Sequence, residues 1–103
     1  MPEDISLAQV NRSLVKADEE LAVALTKLFP LEMQYTTKYN QLMLNSGMGN
    51  QTAREAEALE QMKLEPIYLE YHTAKLDVKI LYMRLDTLKE VSKNMRNLAF
   101  SEV

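Results

Sequence analysis

The chain has no cysteine and no tryptophan, and its 103 residues include only two glycines, three prolines and one histidine. Without cysteine there are no disulfides, no thiolate nucleophile and no thiolate metal ligand, a composition that suits the cytoplasm. The two glycines, Gly47 and Gly49, sit together near the midpoint and leave almost no punctuation for turns elsewhere. An all-β or α/β chain needs a turn roughly every 8–12 residues, so long helices are the economical reading. No apolar run approaches the ~20 residues that span a bilayer. The opening "MPEDISLAQ" is acidic and unlike a secretory signal, so the expected location is cytoplasmic with no membrane partner. His72 is the lone histidine, and its nearest carboxylates in sequence are Glu65, Glu70 and Asp77. The two-histidine helical spacing of a metalloprotease is missing, so no metal site is expected and His72 reads as a surface or interface residue.

Apolar residues make up 47% of the chain and charged residues 26%, the balance of a globular protein and not of a disordered one. At this length it is a single domain, residues 1–103. The net charge of −3 is unevenly spread: residues 1–72 hold six basic and eleven acidic side chains, residues 73–103 six basic and four acidic. Such a split points to a polyanion at the C-terminal end or to pairing between halves of neighbouring chains.

Apolar residues recur at Leu7, Val10, Leu14, Ala17, Leu21, Ala24, Leu28, Leu31 and Tyr35, with steps alternating between three and four. This heptad seam predicts a helix packed along its length against another helix. Ser6 with Gln9 forms a capping box at its start, with Asp4 as an alternative cap. A second seam runs through Ile67, Tyr71, Ala74, Val78, Leu81, Leu85 and Leu88. Thr52 with Glu55 offers a second capping box, with Asn50 as an alternative. Between the helices Gly47 is placed to end the first as its C′ residue, and Gly49 allows the reversal. Pro30 lies seventeen residues before Gly47 and Pro66 seventeen after Gly49, which would bring both prolines level once the chain folds back. Each removes a helical amide donor, so each kinks or interrupts its arm. The predicted fold is all-α: a bent antiparallel helical hairpin with arms 5–45 and 51–98 and a turn at 46–50, kinked at Pro30 and Pro66, assembling into an oligomeric bundle.

The second arm carries more apolar surface than a hairpin needs. Leu69, Leu76, Ile80 and Met83, joined by Val91 and Leu98, lie on the face nearly opposite the seam. Burying each large side chain is worth about 1.5–3 kcal/mol, so this second stripe predicts a homo-oligomer with those six residues at the interface. Lys75, Lys79, Lys89, Lys93 and Arg96, with Tyr82 among them, share one side of the same helix between the apolar stripes. Cations interleaved with an aromatic can follow a single-stranded phosphate backbone and stack a base. The plainer reading is a soluble face whose lysine stems cover the seams.

No catalytic chemistry emerges. Gly49 is followed by "NQTAR", without the Lys-Ser/Thr of a phosphate loop and without a preceding strand. The acidic run 18–20 and the group Glu55, Glu57 and Glu60 are solvated helix faces unless a cleft shifts their pKa values. The Glu-x-x-His pattern of di-iron bundles is absent. The expectation is a non-enzymatic protein with no cofactor and no small-molecule substrate.

The stretch "NQTAREAEALEQMKLEPIYLEYHTAKLDVKILYMRLDTLKEVSKNMRNL", residues 50–98, resembles the UvsY-like recombination mediators of tailed phages. The likeness lies in a middle helix with a Glu/Arg-rich start, a Tyr in "PIYLEY" and a long amphipathic last helix. The resemblance implies an oligomeric accessory factor in the host cytoplasm that binds single-stranded DNA and contacts a recombinase and a single-strand-binding protein. Lys75, Lys79, Tyr82, Lys89, Lys93 and Arg96 would face the DNA, with Arg54 and Lys63 as additions. Two other readings accompany it. One is an inhibitor or adaptor of the anti-CRISPR or host-takeover type, acting through the acidic faces at 18–20 and 55–60. The other is a structural coiled-coil assembly factor.

Overall fold

The computed structural model describes residues 6–101, and all of its regular structure is helical: α1 Leu7–Leu44, α2 Gln51–Met62 and α3 Pro66–Ser101. Helix α1 runs 38 residues because a strong cap starts it and nothing in its sequence stops it before Asn45. The Ser6 hydroxyl accepts from the Gln9 amide at 3.1 Å, and Gln9 Oε1 accepts from the Ser6 amide at 2.9 Å, closing the expected capping box. Pro30 lies inside α1, which continues past it.

The reversal differs from its sequence reading. Helix α1 ends at Asn45 (φ −90°, ψ 0°), and among the described residues no glycine has a positive φ. Gly47 is therefore not a left-handed C′ residue. Side chains hold the connection in its place. The Ser46 hydroxyl donates to Glu57 Oε2 at 2.7 Å and accepts from the Met48 amide at 3.2 Å. Arg54 Nε donates to the Met48 carbonyl at 2.9 Å. Asn50, not Thr52, caps α2, its extended backbone (φ −132°, ψ 163°) setting Oδ1 2.8 Å from the Ala53 amide. Thr52 is already inside the first turn, and Glu55 accepts from Gln51 instead of closing a box.

The second arm is two helices. Leu64 and Glu65 donate to carbonyls three residues back, which tightens the chain at 63–65. Pro66 then opens α3, the position where a missing N–H costs nothing. The two prolines are not level. Lys38 Nζ meets Glu65 at 3.5 Å beside Pro66, whereas Pro30 shares a groove with Glu70, Thr73, Ala74 and Asp77. They stand about two helical turns apart. The Ser46–Glu57 bond lies on the same offset, which puts the point of reversal past the glycines and in α2.

Helix α1 packs antiparallel to α2 and α3, which follow one another along it. The molecule is an extended rod of 70 × 23 × 20 Å. Its single seam buries Ala17, Leu21, Leu28, Ala74, Val78 and Leu85, flanked by Leu14, Leu25, Leu31, Tyr71, Leu81 and Leu88. Ala58 and Met62 of α2 are fully buried near the closed end, and Val10 and Ser92 near the open end. Alanine and serine at these contacts allow the helices to approach closely.

Leu85 is 4% exposed in the middle of the seam, so Leu85→Ala should lower unfolding free energy by about 2–5 kcal/mol. A Cβ on Gly47 or Gly49 would meet nothing within 4 Å. Gly47→Ala and Gly49→Ala should therefore each raise stability by about 0.4–1 kcal/mol through the unfolded chain. Denaturant unfolding followed by circular dichroism measures all three; a loss at either glycine would show that the turn needs it.

Candidate functional site

Helix α3 has three sides. At about 100° per residue, the seam through Ala74, Val78, Leu81 and Leu85 defines the first. Lys75, Lys79, Tyr82, Lys89, Lys93 and Arg96 fall within an arc of about 100° on one flank, spread over roughly 30 Å of helix. All six side chains are exposed. Lys75 Nζ lies 5.2 Å from the centre of the Tyr71 ring, a cation–π contact that leaves its charge unneutralised. Arg96 Nε donates to the Ser92 carbonyl at 3.4 Å. Among the described residues Lys79, Lys89 and Lys93 carry no ion pair. Asp86 and Glu90 dilute this face without closing it. The remaining cation of the helix, Arg84, is on the other flank and pairs with Glu20 at 3.1 Å.

The third side is apolar. Leu69, Leu76, Ile80, Met83, Val91 and Leu98 are each more than a third exposed, and Leu69 reaches 71%. Thr73 and Thr87 continue their heptad spacing. The basic arc and the apolar stripe do not overlap. Helix α1 shows a matching feature that the sequence reading missed: Val15, Phe29 and Met33 are all more than half exposed. With Ala22 and Thr26 between them, they form a second stripe whose middle is too weakly apolar to stand out in the sequence.

The acidic side chains are used locally. Glu57 accepts from Ser46 and Gln61, Glu60 from Lys63, and Glu55 from Gln51. Of the run at 18–20, Glu20 holds Arg84. Arg54 and Lys63, the additions suggested for the basic face, are bonded to the Met48 carbonyl and to Glu60. They belong to the turn and α2, and their contacts are structural.

His72 joins an aromatic nest where α3 begins, a placement the sequence did not suggest. Tyr35 of α1 lies 4.5 Å from Tyr71, 6.4 Å from Tyr68 and 5.6 Å from His72, centre to centre. His72 packs on Tyr68 at 4.4 Å, and its Nε2 is buried without a hydrogen-bond partner. No group of three or more His, Cys, Asp or Glu side chains able to hold a metal ion occurs among the described residues. Nor is any helix among them long and apolar enough to cross a membrane.

In comparisons with known proteins, no family model, no curated protein and no solved structure matches the chain.

Burial raises the Tyr35 pKa above its ordinary value of 10.0, and the adjacent phenols of Tyr68, Tyr71 and Tyr39 raise it further. The folded state thus favours the neutral phenol. The resulting stability is complete below the unfolded value and is lost as pH rises through the folded one. Ultraviolet titration of tyrosinate should show a late-ionising component that Tyr35→Phe removes, and that variant should lose less stability in alkali than the wild type. A Tyr35→Phe titration with the late component intact would contradict this placement.

Proposed function

We propose that this protein is a non-enzymatic, self-associating helical hairpin that binds single-stranded nucleic acid along the basic face of α3. In this reading it acts as an accessory factor in phage recombination or replication, in the cytoplasm of the infected host, where it works beside a recombinase or a single-strand-binding protein. The observation that carries the reading is the division of α3 into three separate sides. The seam is consumed within the chain, the apolar stripe is available for a second copy, and the basic arc stays open when that copy docks. A mean spacing of one cation every few residues suits an extended phosphate backbone, and Tyr82 supplies a ring for stacking. Symmetry then multiplies a modest patch into an extended one.

The rod in this reading bends at Pro30, where the Thr26 carbonyl lacks a ladder partner, and at the 63–65 joint. The alternative of an acidic docking face has less support, because the α2 carboxylates are occupied by local hydrogen bonds.

Fluorescence anisotropy of a labelled single-stranded oligonucleotide across a salt series tests the binding. Neutralising five phosphates predicts a slope of log K on log salt of about −3.5. Lys89→Gln with Lys93→Gln should make it shallower by about 1.4. Absence of binding at low salt would remove the nucleic-acid role and leave a structural assembly factor. For self-association, Leu76→Glu with Ile80→Glu should reduce the mass in solution to the 11.9 kDa of one chain. An unchanged mass in sedimentation velocity would contradict the α3 stripe as interface.

A further inference from the structure

The two exposed apolar stripes lie on opposite edges of the rod. On α3 the stripe stands about 140° from the seam, and on α1 Val15, Ala22, Thr26, Phe29 and Met33 stand about 140° from theirs in the opposite rotational sense. Between antiparallel helices, opposite senses place the stripes diagonally across the hairpin. The grooves agree with this. Val91 and Thr73, on the α3 stripe, share grooves with Ser13, Lys16 and Lys27 of α1, on the flank away from Phe29 and Met33. Phe29 and Met33 border a separate groove formed by α1 alone, with Glu32, Thr36 and Thr37. One two-fold-related partner cannot cover both edges of such a rod.

We infer that the α3 stripe of one copy docks on the α1 stripe of the next, making a side-by-side assembly that repeats in one direction. This rests on the self-association proposed above and specifies its second surface. Sliding one hairpin sideways onto another, without turning it, sets the stripes face to face in the antiparallel register that already joins α1 to α3. Within the chain that register pairs Glu20 with Arg84 and Lys38 with Glu65. Applied between copies, it brings Leu69 within one helical turn of Met33, Leu76 of Phe29, Ile80 of Thr26, Met83 of Ala22 and Val91 of Val15. Large residues of α3 meet small ones of α1 at the centre, which is how facing helices interdigitate. At the edge, Arg84 comes level with Glu19 of the next copy, and Asp77 with Lys27.

The areas suit a second copy as well. The five leading side chains of the α3 stripe expose on the order of 500 Å², against about 800 Å² per partner, rim included, in a stable complex. Such a heterologous contact closes into a ring if each step turns slightly and otherwise extends as a filament. Because the copies share one orientation, their basic arcs all face the same side and form one continuous surface. An α3-to-α3 dimer about a two-fold parallel to the rod would point them in opposite directions.

The test is complementation between two variants, each altered on one stripe. Phe29→Glu with Met33→Glu blocks α1, and Leu76→Glu with Ile80→Glu blocks α3. All four positions are exposed, so helicity by circular dichroism should match the wild type. Should either pair lose helicity, Met33→Lys and Leu76→Lys replace them. Sedimentation velocity is expected to show a wild type larger than two chains and each variant as a single chain. An equal mixture should double that mass and go no further, since one intact α3 stripe meets one intact α1 stripe. An α1 variant of wild-type size would overturn the inference while leaving α3 self-association standing, and a mixture that stays at one chain would overturn it by showing that the two stripes do not meet. A wild type that sediments as one chain would overturn both.

Discussion

A rod two helices thick has one interior surface, and everything else about this protein follows from that limit. The seam between α1 and α2–α3 accommodates Leu21, Leu28, Val78, Leu85 and their neighbours, and no third layer exists to cover any other face. An apolar side chain off the seam therefore remains in water unless another molecule covers it. Fifteen large apolar residues are exposed among those described, more than scattered surface placement explains when so many recur at heptad spacing. The geometry leaves charged and apolar residues to divide the outer faces of α3 between them.

The hairpin depends just as much on how its reversal is held. Long helices joined by a flexible glycine turn could slip against one another by a heptad at little cost to the seam. Here Ser46, Asn50, Arg54 and Glu57 bind the connection through side-chain hydrogen bonds, and neither glycine adopts a conformation reserved for glycine. The Lys38–Glu65 and Glu20–Arg84 pairs lie along the same register. Exposed ion pairs contribute little energy each, so their value is in opposing slippage. The aromatic nest of Tyr35, Tyr68, Tyr71 and His72 adds a bulky, shape-specific contact where α2 gives way to α3.

Much of this was legible in the sequence. The heptad steps through Leu14, Leu21 and Leu28 and through Ala74, Val78 and Leu85 identified the seam. The Ser6–Gln9 box placed the first helix start, and the spare apolar residues of α3 were placed off the seam. The cap of α2 was not resolved, because Asn50 and Thr52 are both good caps and only the backbone conformation chooses between them. The α1 stripe escaped notice because Ala22 and Thr26 are too mild to extend the pattern from Val15 to Phe29. His72 was read as an ordinary surface or interface residue, since nothing local shows that Tyr35, a long way back in the chain, would pack on it.

Periodicity is a property of each helix taken alone, and so the sequence by itself determined that the chain is helical, which residues form the seam, and that cysteine chemistry is excluded. The offset between two helices belongs to neither of them. It depends on where the chain turns, and the turn carries a hydrogen bond between residues eleven apart, Ser46 and Glu57. Only the tertiary structure could therefore show that Pro30 and Pro66 stand at different levels and that the two apolar stripes occupy opposite edges of the rod. Handedness completes the explanation: residues at the same distance from a seam end on the same or opposite sides according to the sense of rotation and the direction of the chain. That relation exists only once the helices are packed.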